Sequence, residues 1–279
     1  MRRASHESFL VYAHYRYLKW SIFVSLVSIA AYALYAPDGI RRGDTVVGWT
    51  LGLVSGVLMV WLMAFGVRKR SYRSHRAPLR SWLSGHFYLG LTLPLIAALH
   101  CAFRIGWNLH GILYGLMFLV VLTGILGSVL YRRIPASLSR DRASEKLVGL
   151  VERIAEVDAD CSRLAGNLPD VFAKAVALSV DETHIGGGTL SQLRLSHPRD
   201  GTVRALASVE AHVGEASAED REVVGELLTH LGMKRTLLGQ VRQIVRSKAM
   251  LDLWLIAHVP LAFAAIAALA AHIVAVLYM

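Results

Sequence analysis

Five stretches of this chain contain no charged residue over a length sufficient to cross a bilayer: 20–36, 46–67, 81–103, 105–131 and 253–279. A hydrocarbon core of about 30 Å takes roughly 20 apolar residues in a helix. Within it every backbone N–H and C=O must be paired internally, which leaves the helix as the form for such segments. A buried helix of a soluble protein rarely stays uncharged on all faces for so long. The sequence predicts an all-α fold: a five-span transmembrane helical bundle.

Composition agrees once its averaging is recognised. The 279 residues are 54% hydrophobic and 18% charged, where soluble domains carry about 25% charged residues. The shift is modest because residues 132–250 are polar and dilute the apolar spans. These boundaries divide the chain into spans one to four (1–131), an insertion (132–250) and a fifth span (251–279). The insertion reads as small and mainly helical. Helical periods cover 144–164 and 169–180, and alternation over 189–195 hints at a hairpin. A helical pattern resumes at Ala218 and runs towards the last span with a break expected near Gly232.

The net charge of +10 would point to nucleic acid in a soluble protein. Here no aromatic and basic residues interleave as a nucleic-acid surface requires. Instead the cations flank the spans. Arg2, Arg3, Arg16 and Lys19 precede the first, and Arg68, Lys69, Arg70, Arg73, Arg76 and Arg80 crowd the second link. Arg132 and Arg133 follow the fourth span, whereas the opposite side has only Arg41, Arg42 and Arg104 near the spans. The positive-inside rule then places the N-terminus and the insertion in the cytoplasm and the C-terminus outside, in a cell inner (plasma) membrane. The partner implied by composition is membrane lipid. Neither Cys101 nor Cys161 belongs to a Cys-x-x-Cys motif for an iron–sulfur cluster or a covalently attached haem. The first apolar run reads as a span and not as a cleaved leader.

Four histidines interrupt the third and fifth spans. His86 and His100 are fourteen residues apart, and so are His258 and His272. Fourteen residues come within about 40° of four whole turns, so each pair shares a helix face, with a rise of roughly 21 Å. Both spans are odd-numbered and run in the same direction. His86 therefore faces His258 near one edge of the hydrocarbon, and His100 faces His272 near the other. Each pair offers two axial imidazoles to one haem iron in apolar surroundings. A lone membrane histidine is as readily a polar contact between helices, and a transition-metal site or proton pathway is the competing use of four. Buried ionisable groups in a bilayer are costly, and a set matched in spacing and depth favours function.

Further candidates are His110, at the start of the fourth span and near His100 and His272 in depth, and Gly85 and Gly90, which leave room beside His86. Arg104 could pair with outer haem propionates, and Arg76, Arg80, Arg246 and Lys248 with inner ones. Each reads first as a topology or headgroup residue. Gly186, Gly187 and Gly188 lack the strand and Lys-Ser/Thr of a phosphate loop. His184, His197, His212 and His230 show no ligand spacing.

The run Trp82-Leu83-Ser84-Gly85-His86, with Leu99-His100, His258-Val259-Pro260 and Ala271-His272, resembles the membrane diheme cytochromes b. That group includes the cytochromes b of respiratory complexes, the cytochrome subunits of membrane-bound dehydrogenases and the ferric-reductase-like proteins. The resemblance covers the third to fifth spans. It implies two haem b held by the iron ligands His86 with His258 and His100 with His272, and electron transfer in the membrane, with a quinone as a further candidate. It implies the electron-transfer subunit of a quinone-linked oxidoreductase. The flavin and nicotinamide module of the ferric reductases has no counterpart here, and the insertion between the ligand helices is a departure from respiratory cytochrome b. The insertion is expected to dock a redox partner subunit. A haem-free transporter or a membrane sensor with a cytosolic domain is the alternative.

Overall fold

All regular elements among the described residues are helices. The structure is a computed structural model and describes residues 9–35, 45–70, 78–133, 140–185, 187–193 and 200–278. A 3-10 turn at Phe9–Val11 leads into α1 (Tyr12–Leu34), followed by α2 (Val46–Arg70), α3 (Leu79–His100) and α4 (Leu109–Arg133). Then come α5 (Arg140–Ala165), α6 (Asp170–Asp181), the one-turn α7 (Thr189–Gln192), α8 (Gly201–His212) and the long α9 (Asp220–Tyr278). The chain divides into two units: residues 1–129 with 254–279, and residues 130–253.

The first unit contains α1 to α4 and the apolar end of α9. Among the described residues, five helices are long and apolar enough to cross a membrane, and α9 reaches a mean hydropathy of 2.3 over its most apolar stretch. α3 is the central helix of this unit, packed closely on α1 and α2. Its apolar stretch is 44% buried, against 11% in α4. Hydroxyls join it to α1: Ser21 and Thr92 meet at 2.5 Å, and Tyr17 and Ser81 at 2.8 Å. These short side chains let the backbones approach and hydrogen-bond across the interface.

α1 begins with a left-handed break at Ala13, His14 and Tyr15, where φ is 48°, 56° and 61°. Such a conformation costs about 1–2 kcal/mol per non-glycine residue. Contacts of the preceding turn with α3 oppose that cost. Phe9 is buried with its ring 5.8 Å from Phe87, and the Tyr88 hydroxyl donates to the Leu10 carbonyl at 2.9 Å.

The second unit has an apolar core of its own. Leu150, Ile154, Val157 and Cys161 of α5 pack with Phe172 and Val176 of α6, Ala205 and Val209 of α8, and Val224, Leu227, Leu231 and Leu238 of α9. The spacing of these positions is the helical one, so each element turns a single stripe inwards. Asp200 caps α8 by accepting from the Thr202 N–H at 3.1 Å and also pairs with Arg242. Lys234 is buried among Asp158 at 2.5 Å and the Ser179 carbonyl at 2.8 Å.

Two local expectations are corrected. Thr189–Gln192 is a turn of helix, not the first strand of a hairpin. The last two residues of that alternating stretch, 194 and 195, lie outside the described residues. α9 runs through Gly232 without a break. A single helical glycine costs only about 1 kcal/mol, and buried Leu231 and Lys234 hold the helix on either side of it.

Candidate functional site

The candidate site lies within the first unit and is built from α2, α3, α4 and α9. Between the two histidine levels, Met59, Leu93, Met117, Ala265 and Leu269 form one apolar cluster, with Ala97 and Ile266 against it. His100 lies beside His272 and His86 is within electrostatic reach of His258, and both pairs share one offset along the two helices. α3 and the end of α9 therefore run parallel, and an apolar layer separates the two levels.

At one level, the His100 and His272 rings have centroids 6.4 Å apart and planes at 73°. At the other, His258 stands within electrostatic reach of His86, and the Phe65 ring lies 4.9 Å from the His86 ring. Three of the four imidazoles are fixed through Nδ1. His86 donates from Nδ1 to the Leu62 carbonyl at 3.1 Å, and His100 donates to the Gly48 carbonyl at 2.7 Å. Gly48 and Leu62 are themselves fourteen residues apart on α2, so one antiparallel helix supports both rings of α3 with its backbone. The Thr123 hydroxyl donates to the Val120 carbonyl, so it accepts from His258 Nδ1 at 2.8 Å.

A proton on Nδ1 leaves Nε2 with its lone pair. This tautomer, held by a carbonyl or hydroxyl on the far nitrogen, is the one a metal-ligating histidine adopts. His272 differs: its Nδ1 is buried with no hydrogen-bond partner. Its ring instead packs edge to face on His110, with centroids 4.3 Å apart and planes at 74°.

Close approach explains two glycines. A Cβ on Gly52 would sit 2.7 Å from His100 Cε1, so only hydrogen leaves space for that ring against α2. A Cβ on Gly127 would sit 2.2 Å from the Trp254 indole. Trp254 stacks on His258 at 5.1 Å and donates its indole N–H to the Thr123 carbonyl at 2.7 Å. Gly85, expected to make room for a bulky ring beside His86, faces Trp61 and Tyr17 instead.

Sequence reasoning found the four imidazoles but missed what fixes them. Gly48 and Leu62 act through carbonyl oxygens, which every residue has, so no side-chain signal marks them. Thr123 was detectable in principle as a hydroxyl inside a charge-free span. Arg104 and Arg80 are exposed, and Arg76 lies outside the described residues. Among the described residues, no three side chains of histidine, cysteine, aspartate or glutamate converge to enclose a bare metal ion. The imidazoles are arranged in facing sets instead.

This fold and its apolar helices define the class: an all-helical, multi-pass membrane protein with histidines at two levels between its helices. No family model, curated protein or solved structure matches the chain.

Proposed function

We propose that this protein is a diheme b-type cytochrome, the electron-transfer subunit of a quinone-linked oxidoreductase. His86 and His258 would ligate one haem iron, and His100 and His272 the other. The observation that carries the reading is the 6.4 Å separation of the His100 and His272 rings. With a metal–imidazole bond of about 2 Å, a ring centre would lie about 3 Å from a metal, so this separation would leave room for one iron held by both rings. The donor set also fits. Three of the four imidazoles have Nδ1 occupied, which leaves Nε2 available as a haem-iron ligand, and an apolar cluster lies between the two levels.

When bound, haem supplies reversible one-electron chemistry at iron. The chain's own residues hold the rings and set their basicity. The Leu62, Gly48 and Thr123 acceptors enrich His86, His100 and His258 as donors, which favours the oxidised iron. The apolar layer around Leu93 and Ala265 excludes water between the levels and makes charge there expensive. Electrons would pass between a redox partner on the cytoplasmic side, the quinone pool and an outer acceptor, with the polar second unit as the partner's docking body.

Pyridine haemochrome analysis of the purified chain should give two haem b per polypeptide. Replacing His86 or His258 by alanine should remove one haem, and replacing His100 or His272 the other, as counted spectroscopically. A preparation without Soret absorbance, or two unaltered haems in all four variants, would reject the assignment in favour of a haem-free transporter or sensor.

A further inference from the structure

The four histidines are not held alike. Three donate Nδ1–H to a neighbouring helix, whereas His272 Nδ1 has no partner and its ring rests on His110. α4 runs antiparallel to the end of α9. It presents Thr123 to His258 and, thirteen residues earlier, His110 to His272. His110 thus occupies at one level the rung that Thr123 occupies at the other. Its position is fixed locally, because Asn108 accepts from the Gly111 N–H at 3.0 Å and caps the first turn of α4. A cap of this kind favours starting the helix at that point.

We infer that His110 is a positioning residue that, by ring packing, holds the His272 imidazole at its steep angle to His100. This rests on the diheme reading and deepens it: two ligands of one iron are oriented by different means, His100 by a backbone carbonyl and His272 by an aromatic wall. An imidazole without an acceptor on Nδ1 also donates less charge to iron than one whose Nδ1–H is hydrogen-bonded.

The angle between two axial imidazole planes is read directly in the electron paramagnetic resonance spectrum of low-spin ferric haem. Steeply crossed planes give a strongly anisotropic signal, and near-parallel planes a rhombic one. The test uses the full chain with wild-type His110, His110→Phe, His110→Leu and His110→Ala, and identifies the signal of this level by its loss in His272→Ala. Phenylalanine keeps a flat wall and should keep the anisotropic signal. Leucine fills similar space without a flat face and, like alanine, should convert that signal to a broad rhombic distribution while haem stays at two per chain. A wild-type signal in both His110→Leu and His110→Ala would overturn the inference, as would its loss in His110→Phe. An absent Soret band in the wild-type chain would instead reject the diheme reading itself, and is seen before any signal is compared.

Discussion

At the scale of single residues, the acceptor on the far nitrogen of three of the four imidazoles is a role separate from ligation. Replacing Thr123 by valine keeps the shape and removes the hydroxyl that accepts from His258. Loss of such an outer partner typically weakens metal affinity 10–100-fold, so haem at the His86–His258 level should dissociate faster by about that factor. Transfer of haem to apomyoglobin measures it, and Thr123→Ser should restore retention. The carbonyls of Gly48 and Leu62 cannot be deleted by substitution, which is also why they were invisible in the sequence. The histidines were legible because an imidazole inside a charge-free span has few structural uses and because their fourteen-residue spacing recurs. The role of His110 was legible only as proximity in depth. Its contact with His272 depends on where α4 begins, and Asn108 sets that.

At the scale of elements, the second unit hangs on one buried ion pair. Lys234 of α9 is 1% exposed and reaches Asp158 of α5 and Ser179 of α6. Removing the lysine leaves Asp158, 22% exposed and partly solvated, without its counter-ion, so the cost falls below the about 3–5 kcal/mol of a fully buried pair. Lys234→Ala should therefore lower the thermal midpoint of the second unit's unfolding. Lys234→Met combined with Asp158→Leu should recover most of the loss, as followed by circular dichroism. Beside this pair, burial pushes the Cys161 thiol up from 9.0 to about 11, with Asp158 adding to the shift and Lys234 opposing it. The raised value favours folding fully below pH 9, and that contribution is lost as pH rises from 9 to about 11. Thiol-reagent labelling of Cys161 should be negligible at pH 8 and should rise only as pH approaches 11. The apolar periods of α5 and α6 were readable in advance because they repeat at helical spacing. α8 and the unbroken passage of α9 through Gly232 were not. The first is short, and the second is decided by side chains that meet the core on either side of the glycine.

At the scale of the whole molecule, the pairing of histidines depends on a parity. α3 and the end of α9 run parallel, so the chain must cross back once between them, and α4 makes that crossing. The bias of cations towards the ends flanking α2, α3 and α4 carries the expectation that the N-terminus and the insertion face the cytoplasm. The link after α3 carries Trp107, which is fully exposed, and belongs to the other face. Single cysteines at Glu145 and Trp107, in a chain whose Cys101 and Cys161 are alanine, separate the possibilities. In sealed vesicles of known orientation, a membrane-impermeant maleimide should label the cysteine at 145 from the cytoplasmic face alone and the one at 107 from the opposite face alone. Labelling of both from one face would mean that α4 does not cross. α3 and α9 would then enter the membrane from opposite sides, His86 would lie opposite His272, and the two-level arrangement would fail along with every role assigned to it.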